Sequence, residues 1–511
     1  MNNEEQKIRE SKNNMDVDKS KKFLRGFGIV SFFILLSRVT GLLREIATAF
    51  FLGASYITDA LFVGWSIPNT FRRFFAEGLV APAFVPAFTK AKEKKEEEKA
   101  FASVMGQIII ITGILSLLIF ILSPVIPHIL SPGFSPEGKR LASFFTASLS
   151  FYLLFISCAT VLSAFLNAFH IFGVPAATMS IFNLAVIIFM LIFSKIERED
   201  LGFVVGVMVG VVIQIIIQIF PILKIIKPKI SFNSNEYSKR IWDALLPVIA
   251  GGAVYQINFL VSRAIASFGG EKTISFLTYA MRFFEFPLGV FVYSISYVSL
   301  PFMAEGGKSR KESFSRAIFF STAIVIPATA GLILFSKPII YFVFGYGKFV
   351  FEDVIGTAEA LVMYSVGLIS VAISRIFITD FQASGQLKIP VISGIIAFLV
   401  NAVFCLILVE PLKHKGIALA SSISSFISMI FLIAKSDNKK IFREVLMGFL
   451  VSFPALVIIF ISSIFYLPNY LKIPKVSSLL IFLGIVLISS LALLGALKKF
   501  NKKNINGIIT V

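Results

Sequence analysis

The sequence predicts an all-α polytopic membrane protein, and its composition and its long apolar stretches are the two observations behind that prediction. Of 511 residues, 57% are hydrophobic and only 15% are charged, which leaves too little polar surface for a soluble protein of this length. Apolar stretches long enough to cross a hydrocarbon core of about 30 Å recur along the chain. Because lipid offers the backbone no hydrogen-bond partners, these stretches are expected to form helices.

The apolar stretches divide into fourteen predicted spans. The second and seventh contain prolines and are expected to bend. The approximate limits are 24–52, 57–89, 102–124, 139–168, 173–194, 201–226, 241–268, 273–304, 312–335, 354–383, 387–409, 415–435, 442–466 and 475–497.

Many basic residues of the chain lie in short loops. A net charge of +19 would point to nucleic acid in a soluble protein, but here it predicts topology. Lysines and arginines concentrate in both termini and in the loops after spans two, six, eight and twelve, all on one side, and the EPLKHKG loop is the exception. By the positive-inside rule that side is the cytoplasm. Both termini are therefore expected there, and no nucleic-acid partner is expected.

An internal repeat divides the spans into two halves. The segment ITDALFVGWSIPNTFRRFFAEG, from Ile57, resembles ISFLTYAMRFFEFPLGVF, from Ile274, and FLNAFHIFGVPAA resembles FQASGQLKIPVIS. Two parallel six-helix lobes around a central cavity are a common transporter plan. The predicted divisions are a disordered cytoplasmic tail (1–23), an N-lobe (24–226), a C-lobe (237–435), two extra C-terminal helices (442–497) and a second cytoplasmic tail (498–511).

Several charged side chains stand inside the predicted spans. Each arginine at bilayer depth costs about 2.5–3.5 kcal/mol on insertion scales, and such residues usually face a water-filled interior that carries a substrate. The arginines singled out in spans one, two and eight are Arg38, Arg44, Arg72, Arg73 and Arg282. The acidic residues near them are Glu45, Asp59, Glu77 and Glu285.

A structural role competes with a substrate-binding role for these arginines. Arg73 and Glu77 are four residues apart and can pair on one helix face, and arginines near a span end can snorkel to the headgroups. Arg44 and Arg72 lack an acidic residue three or four positions away. An excess of cationic groups indicates an anionic substrate, and the planar fork of arginine suits phosphate oxygens. A lipid-linked phosphate or diphosphate is the natural candidate within a membrane.

The sequence offers little to catalysis or to metal binding. The two cysteines, Cys158 and Cys405, stand in separate apolar spans, and the three histidines lie far apart. No nucleophile, acid–base pair or ligand cluster is recognisable. The chain is therefore predicted to be a transporter without a cofactor and not an enzyme.

The segment SRVTGLLREIATAFFLGASYITDALFVGWSIPNTFRRFFAEGLVAPAFVPAF closely resembles the N-terminal signature of the MurJ/MviN family, part of the multidrug/oligosaccharidyl-lipid/polysaccharide exporter superfamily. YAMRFFEFPLGV and GQLKIP match as well, and the resemblance covers about residues 24–500. It implies a flippase that moves lipid II, the undecaprenyl-diphosphate-linked peptidoglycan precursor, to the outer leaflet by alternating access. It also implies a role in cell wall biogenesis and cell shape, in the bacterial cytoplasmic membrane, with lipid II and membrane lipids as partners and a monomer as the functional form.

The resemblance also implies which side chains meet the substrate. The essential cavity arginines of the family match Arg38, Arg44, Arg72 and Arg282, and a functionally sensitive position matches Asp59. The remaining implied substrate-binding residues are Glu45, Asn69, Arg73 and Glu77. Glu45 stands where the family often has aspartate, which keeps the charge and extends the reach by one methylene.

A cation site has been proposed for the family in the C-terminal lobe. The matching side chains here are Ser262, Asn401, Cys405 and Ser421. They include no carboxylate, whereas a hard cation such as sodium usually takes several oxygen ligands with a carboxylate among them. No metal site is therefore predicted, and these four residues are candidates only for a degenerate one. Coupling to the membrane potential or to a cation stays open.

Two other functions compete with lipid II flipping. Another exporter of the same superfamily, such as a polysaccharide-lipid flippase or a cation-coupled drug exporter, is the first. A drug exporter should show fewer cavity arginines and an acidic ion site. A membrane enzyme acting on polyprenyl phosphates is the second, and it would usually display acidic metal-binding clusters, which this sequence lacks.

Overall fold

The computed structural model describes residues 28, 30–76, 81–438 and 441–508. Side chains are described over these ranges except at 71–76, 81–82, 246–255 and 501–508. Within the described residues the chain is helical almost throughout and contains no strand.

The helices are numbered in chain order. They are α1 (30–52), α2 (Tyr56–Ala76), α3 (Ala81–Glu93), α4 (Glu97–Leu122), α5 (Ile126–Leu130), α6 (Pro136–Leu149), α7 (Tyr152–Ala168), α8 (Gly173–Phe193), α9 (Glu199–Leu223), α10 (Glu236–Ala266), α11 (Thr273–Pro287), α12 (Tyr293–Ala304), α13 (Gly307–Leu334), α14 (Ser336–Phe344), α15 (Phe351–Val366), α16 (Leu368–Ala383), α17 (Lys388–Leu412), α18 (His414–Lys435), α19 (Phe442–Tyr466) and α20 (Lys475–Ile508).

Many of these helices are long and apolar enough to span a membrane. Among the described residues ten helical segments meet that condition, and the bent pair α15–α16 makes eleven. The predicted fold class, an all-α polytopic membrane protein, is confirmed. The total of fourteen spans stays a prediction.

Several predicted spans contain more than one helical element. The span predicted at 57–89 consists of α2 and α3, and the residues between them lie outside the described part. The span at 354–383 consists of α15 and α16, which meet at an angle of 44°. A π-helical turn over Leu288–Val292 joins α11 to α12 directly after Pro287, and proline disturbs the regular hydrogen-bond ladder of a helix. Helix α20 continues past residue 497 to Ile508, since lysine is a good helix former.

The chain forms two compact units. Unit 1 contains the chain up to Phe51 together with Gly64–Ile126 and Arg140–Gly252. Its core includes edge-on ring contacts of Phe165 on α7 with Phe88 on α3 and with Phe101 on α4, both at 5.2 Å between ring centroids.

The connection from α9 to α10 packs on α4 within unit 1. The Ser231 amide donates to the Ala102 carbonyl at 3.0 Å, and a Cβ at Gly106 would collide with the Ser231 carbonyl. At the end of the connection, the Tyr237 hydroxyl donates to the Glu96 carboxylate at 2.6 Å. Polar contacts and a close backbone approach therefore fix this connection.

Unit 2 contains Ala253–Val511 together with two earlier segments, Leu52–Val63 and Pro127–Lys139. Its core includes Phe314 on α13 against Phe377 on α16, with ring centroids 5.0 Å apart. The last two helices pack into the same unit, since Phe482 on α20 lies 5.8 Å from the ring of Phe335.

Candidate functional site

Arg44 lies at the centre of a polar group in unit 1. It is half-buried on α1, and its Nη2 donates to Glu45 Oε1 at 2.7 Å while its Nη1 donates to Asn183 Oδ1 at 3.2 Å. The Asn183 amide on α8 in turn donates to the Thr40 hydroxyl at 3.2 Å and to the Ser37 carbonyl at 3.3 Å. The guanidinium is thereby held by two helices, with further N–H donors left to meet a ligand.

Arg44 has an acidic partner that helix spacing does not indicate. Its partner is the next residue, Glu45, with 2.7 Å between the charged atoms. Residues three or four positions apart share a helix face and can pair. The arginine side chain is long enough to reach the next residue in the sequence as well. Arg38 lies six residues before Arg44 on the same helix. It is exposed and has no hydrogen bond or ion pair with another described residue.

The predicted residues of α2 are only partly described. Asn69 is half-buried. Arg72 and Arg73 belong to α2, but their side chains lie outside the described part, and Glu77 lies outside it altogether. The pairing of Arg73 with Glu77 therefore stays a prediction.

Asp59 caps a helix that lies far from it in the sequence. It is 1% exposed at the start of α2, and its Oδ1 accepts hydrogen bonds from the Ser275 amide at 2.7 Å and from the Ser275 hydroxyl at 2.5 Å. Ser275 lies in the first turn of α11, where the N-cap residue Lys272 supplies no side-chain cap. A carboxylate at this position satisfies an otherwise unpaired amide and complements the helix dipole.

Further polar contacts fix the segment that carries Asp59. Arg263 on α10 donates to the Phe62 carbonyl at 2.8 Å and to the Thr278 hydroxyl at 2.7 Å. Gly53 has a φ of +64°, and a Cβ there would lie 2.5 Å from the Lys348 carbonyl oxygen, so glycine is required. These contacts lie within unit 2, and we call the segment Leu52–Val63 with its partners on α10 and α11 the Asp59 latch.

Sequence reasoning missed Arg263 and Ser275. Arg263 stands in the apolar stretch FLVSRAIAS. A charge within an apolar stretch is the feature that singled out the other arginines, so Arg263 could have been found in the same way. Ser275 carried no such signal, since serine is common near helix starts. Arg282, which was predicted, is half-buried on α11, one turn before the half-buried Glu285.

The four candidates for a degenerate cation site do come together, around a buried amide. Asn401 on α17 is 1% exposed. Its Nδ2 donates to Ser262 Oγ at 2.6 Å and to Asn258 Oδ1 at 3.0 Å. Its Oδ1 accepts from Ser421 at 3.3 Å and from Cys405 at 3.7 Å. Asn258, on α10, is the member that sequence reasoning missed.

This cluster does not fit a hard cation. Both N–H donors and both lone pairs of the Asn401 amide are already used, and no carboxylate takes part in the hydrogen bonds around it. Among the described residues no group of three or more histidine, cysteine, aspartate or glutamate side chains is arranged to hold a metal ion. The chemistry of the donor set is that of a neutral hydrogen-bonded junction between α10, α17 and α18.

Comparison with known proteins decides the family. The sequence profile of a family described as lipid II flippase MurJ matches residues 46–487. The chain belongs to the MurJ family.

Relatives of the MurJ family match over most of their length. A probable lipid II flippase MurJ of Buchnera aphidicola subsp. Schizaphis graminum is 30% identical over 500 residues, which cover 93% of this chain and 96% of that protein. One from Thermotoga maritima is 30% identical over 424 residues, 82% of this chain and 86% of that protein.

Solved structures agree with this assignment. A lipid II flippase MurJ in an inward closed conformation superposes with a TM-score of 0.76 at 28% identity, over 93% of this chain and 99% of that chain. An inward-facing multidrug transporter of the MATE family shares the fold alone, with a TM-score of 0.67 at 16% identity over 82% of this chain and 96% of that chain.

Proposed function

We propose that this chain is a flippase that moves lipid II from the inner to the outer leaflet of the bacterial cytoplasmic membrane. Membership of the MurJ family carries the proposal. The Arg44 group supports it, because a half-buried guanidinium inside a span suits an anionic lipid headgroup. As in the relatives named for this activity, the substrate would be the undecaprenyl-diphosphate-linked precursor of peptidoglycan, and the activity would serve cell wall biogenesis and cell shape.

The substrate-binding residues follow from the family signature. Arg38, Arg44, Arg72 and Arg282 bind the diphosphate and its sugars, while Glu45, Asn69, Arg73 and Glu77 position them. Binding and release alternate as the transporter opens to one side of the membrane and then to the other. The Asp59 latch holds the segment Leu52–Val63, from the N-terminal half of the sequence, within unit 2.

The basic loops set the orientation of the proposed flippase. Both termini face the cytoplasm, and the protein acts as a monomer with lipid II and the surrounding membrane lipids as its partners. No chemical step is assigned to it, because the candidate residues bind and orient without a nucleophile or an acid–base pair.

The membrane potential is the proposed driving force. With the interior negative, outward movement of an anion is favoured by about 2.3 kcal/mol per charge per 100 mV if the charge crosses the full field. A sodium-coupled step is not included, because the Asn401 cluster is a closed hydrogen-bonded junction.

A cation-coupled exporter of the same superfamily is the alternative function, supported by the shared fold of the MATE transporter. The half-buried Arg44 argues against it, since the N–H donors of a guanidinium suit an anion and offer a cationic drug no acceptor. Binding of a cationic drug by the purified protein, without binding of lipid II, would favour this alternative.

Complementation tests the proposed function. The gene is expressed in a bacterium depleted of its own MurJ, and lipid II exposed in the outer leaflet is scored. We expect growth and exposure to be restored. Failure of both, with normal expression and without lipid II binding by the purified protein, would overturn the proposal.

A matched pair of variants tests the site. Arg44→Met removes the guanidinium of the buried group, whereas Arg316→Met removes an exposed one whose only ion pair in the described part is with Glu312 at 3.8 Å. We expect Arg44→Met to abolish rescue while Arg316→Met rescues like the wild type. Full rescue by Arg44→Met would show that the buried group does not serve the substrate.

A further inference from the structure

Arg375 is an arginine of unit 2 that stands within a span and meets an aromatic ring. It lies half-buried in α16, in the apolar stretch AISRIFIT. Its guanidinium carbon is 5.1 Å from the centroid of the Tyr293 ring on α12. The two helices pack against each other, so the contact joins neighbouring elements.

No acceptor among the described residues satisfies the Arg375 guanidinium. Its Nε is buried without a hydrogen-bond partner in that part of the chain. The one carboxylate on the same helix, Asp380, is fully buried and is taken by Arg310, whose Nε and Nη2 lie 2.7 Å and 2.9 Å from its two oxygens. Arg375 therefore has N–H donors without partners, which is costly within a membrane.

The Arg375 guanidinium lies over an aromatic ring within the span. The end of α16 at Ala383 is eight residues on, or about 12 Å at the helical rise. Stacking on an aromatic face stabilises the cation and leaves the donors at the edge of the fork free. A planar fork with free donors is suited to an oxyanion.

Arg375 and Arg282 contact the helical run α11–α12 at different depths. Arg282 and Tyr293 are eleven residues apart on the helical run of α11, the π turn and α12, which is about 16 Å along the axis. A diphosphate is much shorter than this distance. In the proposed orientation Tyr293 lies nearer the cytoplasmic end of that helix than Arg282 does.

We propose that Arg375, oriented by Tyr293, binds an oxyanion of the lipid-linked substrate at a site separate from Arg282 and closer to the cytoplasm. The inference rests on the proposed function. Two parts of the substrate carry this chemistry: the carboxylates of the precursor's peptide, and the diphosphate at an earlier stage of its passage.

Binding measurements with the purified full-length protein test this site. Dissociation constants are measured for lipid II and for undecaprenyl diphosphate, which lacks the peptide. The variants are Arg375→Met, Arg375→Lys and the control Arg316→Met. We expect Arg375→Met to weaken lipid II binding by about 10-fold to 100-fold, the range of a charge-assisted hydrogen bond. Arg375→Lys should lose less, and the control should bind like the wild type.

The second ligand identifies the oxyanion. If undecaprenyl diphosphate binds Arg375→Met as tightly as it binds the wild type, the peptide carboxylates are the group bound; a parallel loss assigns the diphosphate. Unchanged affinity for both ligands would overturn the inference while leaving the proposed function intact. Failure of the wild type to bind lipid II would overturn both.

Variants of Tyr293 test the role of the ring without touching the charge. Tyr293→Phe keeps the aromatic face and Tyr293→Leu removes it. We expect lipid II affinity to be kept by the first and reduced several-fold by the second, with both variants melting near the wild-type temperature. Equal affinity of the two variants would show that the ring does not orient Arg375.

Discussion

Arg44 and Asp59 are both charges within helices of a membrane protein, and they are stabilised in different ways. Arg44 is paired with its neighbour Glu45 and with an amide from α8. Asp59 accepts two hydrogen bonds from Ser275 at the start of α11. The first arrangement leaves donors for a ligand, whereas the second uses the carboxylate to join two distant parts of the chain.

The bond between Asp59 and Ser275 predicts a measurable coupling energy. Ser275→Ala removes the hydroxyl donor, Asp59→Ala removes the acceptor, and the double variant completes a cycle. A hydrogen bond to a charged group contributes about 1.5–3 kcal/mol, so we expect the single variants to destabilise the protein and the double variant to cost less than their sum. Reversible unfolding in mixed detergent micelles measures these changes.

If the changes in unfolding free energy caused by Asp59→Ala and Ser275→Ala were strictly additive, that result would contradict this hydrogen bond. Ser452→Ala provides a control, because Ser452 is buried in the same unit, on α19, and its hydroxyl donates to the Phe449 carbonyl of its own helix. Its effect should add to that of Asp59→Ala, since distant sites are usually additive.

Residue identity was easier to predict than residue partners. The arginines were visible because a charge in an apolar stretch is rare. Their partners were not, because Arg44 binds a sequence neighbour and an asparagine 139 positions away, and neither follows from helix spacing.

At the level of elements, the connection between α9 and α10 is held to α4 by a titratable pair. The hydrogen bond from Tyr237 lowers the pKa of the Glu96 carboxyl below its usual range, while burial and the same bond raise the pKa of Tyr237. Because the folded-state pKa of Glu96 is lowered, its stabilising effect is present above the ordinary glutamate pKa. That effect is lost as pH falls through the lowered value.

Hydrogen exchange tests the contribution of this pair. Tyr237→Phe removes the 2.6 Å bond, so we expect amides of residues 229–236 to exchange faster than in the wild type at neutral pH. After correction for intrinsic exchange, the difference should shrink under acid conditions, where Glu96 is protonated in both proteins. The exposed Tyr297 provides the control Tyr297→Phe. A difference independent of pH would contradict the assignment to Glu96.

The Asn401 cluster predicts independence from sodium. A ligand that binds only the folded state raises stability by mass action, so replacing sodium by potassium at equal ionic strength should leave the melting temperature and the flipping rate unchanged. Asn401→Ala should lower stability by about 1–3 kcal/mol, because it leaves buried partners unsatisfied. A sodium-specific rise in melting temperature would contradict this account of the cluster.

The positions of the helices were easier to predict from the sequence than the places where helices are interrupted. An apolar stretch of sufficient length predicts a span whatever its neighbours are. The 44° bend between α15 and α16 and the π turn at Leu288–Val292 depend on local packing, and their sequence signals, a glycine and a proline, also occur in uninterrupted helices.

For the whole molecule, fold class and family were predictable, while membership of the compact units was not. Composition and span length predict an all-α membrane protein, and the N-terminal signature indicates the family. The inclusion of Leu52–Val63 and Pro127–Lys139 in unit 2 depends on contacts such as that of Asp59 with Ser275. Contacts between residues more than 200 positions apart have no pattern in a single sequence.

Flipping of lipid II by the purified protein tests the central claim most directly. The protein is reconstituted into liposomes that contain labelled lipid II, and the rate at which the label becomes accessible on the opposite face is measured for the wild type, Arg44→Met and Arg316→Met. We predict rapid movement with the wild type and with Arg316→Met, and a rate near that of protein-free liposomes with Arg44→Met. A wild-type rate no higher than that of protein-free liposomes would contradict the claim.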